Sequence, residues 1–311
     1  MNKKILTALT AAILLIPTSA HAALKNQTVV PKPTIAILDT ALDTSISSLQ
    51  GRVAYEVCIL EWNSCPNGQK FMEGPGSAVL PSNIISKNGF DHGTMMASTF
   101  ASNNSDVNIV FVRIIGATST GVRQIANEAT FVNALDWVYK NKERLNIQAV
   151  SMSQSHHNLM PGVNYCPNTI NTQLKINSIV SAGLPIFLAA GNDRDYSRLS
   201  WPACLDQSIS VGASTDYNEI PIWSNVDMLK SDLYDLGYAN IVSVGNQKVN
   251  ISGTSVATQV AAAHWMTIKA SKPTLSYQQL YDLVLKTSIS IIGPKNVSGN
   301  MINVTGAINV R

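Results

Sequence analysis

Thr34-Ile35-Ala36-Ile37-Leu38-Asp39 is an unbroken apolar run that ends on a carboxylate, with Pro31 and Pro33 just upstream. A short apolar run without alternation, bounded by turn residues, reads as a strand buried on both faces, the kind found in parallel sheets. Similar runs rich in Val, Ile and Phe recur at residues 107–115, 147–152, 185–190 and 208–213. Helical periodicity fills the gaps at 91–101, 127–139 and 169–182. In the last of these Ile170, Leu174, Ile176, Ile179 and Val180 fall near a 3.6-residue period. Strands alternating with helices predict an α/β domain, its sheet mainly parallel and flanked by helices. Residues 255–270, Ala-rich and almost uncharged, predict a helix buried on most sides. Ser276 is a candidate cap for a helix through Lys286, and a short strand is expected near 301–304.

Upstream of the first strand, Lys3 and Lys4 precede an apolar run and then Ala20-His21-Ala22, the pattern of an export signal with its cleavage site. The run is shorter than the roughly 20 residues a membrane span needs. The expected organisation is a signal peptide at 1–22, a linker at 23–33 and one domain at 34–311. The mature chain is expected in the periplasm or outside the cell, as a monomer with no membrane span. The net charge of +3 arises from 22 basic and 19 acidic residues mixed along the chain, so no basic stripe suggests a nucleic-acid partner. Four cysteines in an exported chain make an even set. The preferred pairing is Cys58 with Cys65 and Cys166 with Cys204; free thiols and the two other connectivities stay open.

Sites in open α/β sheets form beyond the carboxyl ends of the strands. Asp39 ends one buried strand, and Asn192 follows another in Ala189-Ala190-Gly191-Asn192. His92 opens a helix in His92-Gly93-Thr94, and Ser255 opens the buried helix in Gly253-Thr254-Ser255-Val256-Ala257. A serine hydroxyl is a weak nucleophile until a neighbouring base takes its proton, and histidine titrates in the right range to do so. A carboxylate on the far ring nitrogen fixes the tautomer and stabilises the imidazolium. The side-chain amide of Asn192 and the Ser255 N–H suit the oxyanion that then forms.

Taken in order, these motifs resemble those of the subtilisin-like serine peptidases. Lesser stretches extend the resemblance from about Pro33 to the end: Val150-Ser151-Met152-Ser153, Ser210-Val211-Gly212-Ala213 and Trp223-Ser224-Asn225. It implies a three-layer domain, a triad of Asp39, His92 and Ser255, and a peptide or protein substrate held as an added strand along Ser151, Met152, Ser153 and Gln154. The expected activity is that of an exported serine endopeptidase, and the alternative is an impaired relative that binds peptides without cutting them. No cofactor is expected. Relatives often carry structural calcium, but no compact acidic loop here assigns ligands to it.

The chain departs from the family pattern at several points. Ala41, Ser98 and Ala263 stand where glycines are usual, Gln259 where a proline is usual, Met95 where a histidine is, and Gln154 interrupts the usual Ser-Leu-Gly. Residues 23–33 are too few for the propeptide of most secreted relatives, so the domain is expected to fold unaided or with help from a separate chain. Asp91 is read as a helix cap and His264 as a hydrogen-bonded residue of the core, while His156 and His157 fall in a loop with no metal-ligand spacing.

Overall fold

The computed structural model describes residues 32–124, 127–155, 166 and 169–310. The export signal, most of the linker, His156 and His157 lie outside the described residues. In chain order the strands are β1 (Thr34–Asp39), β2 (Val53–Ile59), β3 (Phe71–Glu73), β4 (Asn108–Arg113), β5 (Gly116–Ala117), β6 (Arg123–Gln124), β7 (Ile147–Met152), β8 (Ile186–Ala189), β9 (Ile209–Ser214), β10 (Leu233–Leu236), β11 (Tyr238–Ser243), β12 (Gln247–Ser252), β13 (Ile289–Ile292) and β14 (Ser298–Met301). The helices are α1 (Ser82–Ile85), α2 (His92–Asn103), α3 (Glu128–Asn141), α4 (Ile170–Ser181), α5 (Thr254–Ser271), α6 (Tyr277–Thr287) and α7 (Val304–Asn309).

Ten strands form one sheet in the order β13-β14-β10-β9-β8-β7-β1-β4-β2-β3. The inner strands pair in parallel, and antiparallel β3 and β13 close the two edges. Because successive side chains point to opposite faces, β1 splits its apolar run between two cores. Ala36 and Leu38 face α3 and α4 with Val110, Val112, Val150 and Leu188. Ile35 and Ile37 face α2 and α5 with Phe111, Phe187 and Trp265. That division makes three layers and explains why the inner strands read as continuous hydrophobic runs.

From β1 the chain builds first to one side, through β2 and β4, and then to the other, through β7, β8, β9 and β10. The strand order therefore reverses at β1, and a crevice opens beyond its carboxyl end, where Asp39 sits. Helix α5 packs against β7, β8, β9 and β10, all but free of charge and buried on most sides as its composition predicts. Ser276 caps α6 in a reciprocal capping box with Gln279.

Two local expectations are corrected. The terminal strand stops at Met301, and Asn303, whose side chain accepts from the Gly306 N–H, caps α7 from residue 304 onward. Asp91 occupies the position before α2 but in helical conformation and without a side-chain cap bond.

Candidate active site

The Asp39 and His92 segments are stitched together by their neighbours. Thr40 donates its hydroxyl to the Phe90 carbonyl (2.7 Å) and accepts from the Gly93 N–H (2.8 Å). Thr94 donates to the Ala41 carbonyl (3.3 Å) and accepts from the Asp43 N–H (2.9 Å). Gly93 is required for this approach: a Cβ there would stand 2.6 Å from the Ala41 oxygen and 2.7 Å from the Phe111 ring. The clamp brings His92 Nδ1 to 2.8 Å from Asp39 Oδ1, with Asp39 fully buried and the imidazole partly open to solvent. An ionised carboxylate only accepts, so the proton lies on Nδ1, and Nε2 presents a lone pair. Arg113, aligned with Asp39 across β1 and β4, is buried and donates to the Ile115 and Val79 carbonyls. Burial pushes its guanidinium down to about 10, which leaves it charged at neutral pH.

Ser255 is the second residue of α5, in the first turn, where N–H groups lack intrahelical acceptors. Its hydroxyl donates to the Ser153 carbonyl (3.3 Å), while the Ser153 hydroxyl donates back to the Ser255 carbonyl (3.0 Å). Gln259, one turn further along and fully buried, holds this clasp. It accepts from the Ser151 hydroxyl (3.0 Å) and donates to the Ser153 hydroxyl (3.0 Å), so its buried amide is satisfied at both ends. The Gln that departs from the family pattern thus ties the helix of Ser255 to the end of β7. In the sequence Gln259 reads only as a substitution, and the polar side chains of Ser151, Ser153 and Gln259 do not name one another as partners.

Asn192 lies just beyond β8. Its Oδ1 accepts from the Thr254 N–H (2.9 Å) and hydroxyl (3.1 Å), which turns the Nδ2 donor away from that contact. Gly191 makes the turn at φ +111°, its N–H donating to the Thr254 hydroxyl; a Cβ here would stand 2.2 Å from the Ser200 Oγ.

His92, Asn192 and Ser255 line one cleft of about 350 Å³, with Met95, Met96 and Val256 forming apolar wall. Ser153 and Gln154 line it as well, whereas the side chains of Ser151 and Met152 are buried beneath, so these two can meet a substrate only through backbone. Gln154 bridges the site: its Nε2 lies 2.9 Å from Asp39 Oδ1 and 3.0 Å from His92 Nδ1, and its Oε1 accepts from Arg123 Nη2 (2.7 Å). With the imidazole proton on Nδ1, Gln154 and His92 donate to one carboxylate oxygen, which also accepts from the Thr40 N–H (2.7 Å).

The replaced glycines fit without strain. Ala41, Ser98 and Ala263 are all buried and none has positive φ, and Ser98 bonds the Ser48 hydroxyl at 2.8 Å. Cys58 is joined to Cys65 and Cys166 to Cys204. Away from the site, His264 on α5 contacts Asp235 Oδ2 at 2.7 Å. Burial opposes its charged form, but the Asp235 carboxylate outweighs that and holds the imidazole above its ordinary value.

Residues 31–306 match a family model described as Peptidase_S8, subtilase family. The chain is 25% identical over 231 residues to Subtilisin-like protease 3 of Saccharomyces cerevisiae, covering 71% of this chain and 42% of the relative. It is 24% identical over 245 residues to Subtilisin Savinase of Lederbergia lenta, covering 75% and 82%. The chain spans less than half the length of its yeast relatives, 42% for that protein and 44% for the subtilase-type protein isp6 of Schizosaccharomyces pombe. In structure it is similar to a protease from Pseudoalteromonas arctica, with TM-score 0.68 and 19% identity over 89% of each chain. A cold adapted subtilisin-like serine proteinase superposes with TM-score 0.61 and 19% identity, covering 87% and 88%.

Proposed function

The chain belongs to the subtilase family, and from that premise we propose that it is an exported serine endopeptidase with Ser255 as nucleophile. The carrying observation is the contact of His92 Nδ1 with buried Asp39 Oδ1 on the edge of a cleft that Ser255 and Asn192 also line. In the proposed reaction the Ser255 hydroxyl turns from the Ser153 carbonyl and attacks the scissile carbonyl carbon while His92 Nε2 takes its proton. Asn192 Nδ2 and the Ser255 N–H donate to the oxyanion. Collapse breaks the C–N bond, and the imidazolium returns the proton to the leaving amine. Water then attacks the acyl-enzyme with His92 as base, freeing the acid and restoring the hydroxyl. The substrate backbone would pair along Ser151–Gln154 as an added strand. Two disulfides and the sequence of residues 1–22 support an oxidising, exported location.

A second reading, a peptide binder that does not cut, is favoured by the resting bonds of Ser255 to Ser153 and of Gln154 to Asp39. Labelling with a fluorophosphonate, followed by mass-spectrometric mapping, separates the two. Peptidase activity requires a tag on Ser255 that the Ser255→Ala variant does not acquire. Wild-type protein that takes no tag would leave only the binding reading.

A further inference from the structure

Among the described residues that line the cleft beside Ser255, one side chain is permanently charged, Arg123 on β6. Its Nη2 donates to Gln154 Oε1, its Nε is buried without a partner, and its Nη1 lies beside Gly89. Among the described residues no carboxylate pairs with it. Asp39 is separated from it by Gln154, whose amide oxygen faces the guanidinium and whose amide nitrogen faces the carboxylate. A neutral amide placed between the two charges keeps Asp39 apart from Arg123, and one bond to Gln154 leaves the remaining Nη donors of the arginine uncommitted. A guanidinium in a partly desolvated wall without a counter-ion attracts anions, and its planar fork matches a carboxylate in two parallel bonds.

We propose that Arg123 is a specificity-determining residue that selects substrates carrying an Asp or Glu side chain at the position facing β6. The proposal rests on the reading of this cleft as a peptidase site and names its substrate class. The acidic side chain docks on the uncommitted Nη donors of Arg123, and the backbone beside it lies over Gln154 toward Ser255.

The test scans a single Glu, Gln or Lys through each position of one peptide around its cleavage point. Hydrolysis is measured with wild-type protein, and binding by fluorescence anisotropy with the Ser255→Ala variant. At one position the Glu peptide should exceed the Gln peptide by about tenfold in kcat/KM and in affinity, the effect of one hydrogen-bonded charge pair. Arg123→Gln should bring that ratio to about one, Arg123→Lys should keep part of it, and Arg123→Glu should favour the Lys peptide. Equal handling of Glu and Gln at every position by the wild type, or an unchanged ratio in Arg123→Gln, overturns the proposal. If Ser255 takes no label and no peptide is cut, the peptidase reading fails, and the binding arm still decides: a Glu preference lost in the Arg123→Gln, Ser255→Ala double variant supports the role of Arg123, and its absence overturns it.

Discussion

Gln154 Nε2 and His92 Nδ1 share one oxygen of Asp39, at 2.9 and 2.8 Å. The carboxylate that orients the imidazole therefore also carries a donor from the segment proposed to hold substrate. Gln154→Glu replaces that donor with a carboxylate a hydrogen bond's length from Asp39, and like charges this close repel strongly in a buried site. We expect kcat to fall by about tenfold or more, with a smaller loss for Gln154→Met, which fills the space without charge. Steady-state kinetics of both variants check this; equal losses would mean that the missing donor, rather than the added charge, is what matters.

Asn192 has two separable duties. Oδ1 holds the first turn of α5 through Thr254, and Nδ2 is the proposed oxyanion donor. Asn192→Ala removes both, whereas Asn192→Asp keeps an acceptor for Thr254 and removes the donor. If the donor matters, both should lose about 100-fold or more in kcat, roughly 2.7 to 4 kcal/mol of transition-state stabilisation, with KM little changed. Retained kcat in Asn192→Asp would shift the role of Asn192 to the helix turn alone.

Gly93 lets the His92 segment close on β1. The Cβ of Gly93→Ala would meet backbone atoms of Ala41 at 2.6 and 3.0 Å, and backbone cannot swing aside as a long side chain can. The expected cost is about 1 to 3 kcal/mol of stability. Activity should fall further than stability does, because the displaced residue next in sequence is His92. Thermal unfolding and kcat measured on the same sample compare the two.

Much of this arrangement was legible in sequence because polar groups at strand and helix ends leave local marks. Asp39 terminates a buried run, Asn192 follows another, and Ser255 opens an Ala-rich helix. What escaped depends on contacts far apart in the chain or on polar residues inside strands. Gln259 and Ser151 meet across 108 residues, and nothing local to either predicts the bond. Strand β2 contains Glu56, which breaks the apolar pattern yet is buried and accepts from the Gly76 and Ala78 N–H groups. Strand β10 likewise carries Asp235, whose partner His264 comes from α5.

The disulfides should differ in worth. Cys166 and Cys204 are separated by 38 residues and Cys58 and Cys65 by 7. In the chain-entropy account, loops of these sizes correspond to about 3.9 and about 2.4 kcal/mol of stability. Replacing each pair with serines and measuring unfolding in denaturant should show the larger loss for Cys166 and Cys204. The reverse order would mean that native contacts of the Cys58–Cys65 loop, rather than chain entropy, dominate.

His264 makes stability depend on pH in a direction that can be worked out. Burial disfavours its charge, but the hydrogen bond and charge of Asp235 prevail, so its value in the folded chain lies above the ordinary 6.5. Between those two values the folded chain binds more protons at this residue than the unfolded chain does. The stabilisation is therefore fully present below about pH 6.5 and is lost as pH rises through the folded value. His264→Gln removes the titrating group while keeping a side chain able to donate to Asp235. The melting-temperature gap between wild type and this variant should be widest near pH 5.5 and should narrow toward about pH 8.5. A gap that stays constant over this range would show that the ring contributes by packing and a neutral hydrogen bond, not by its charge.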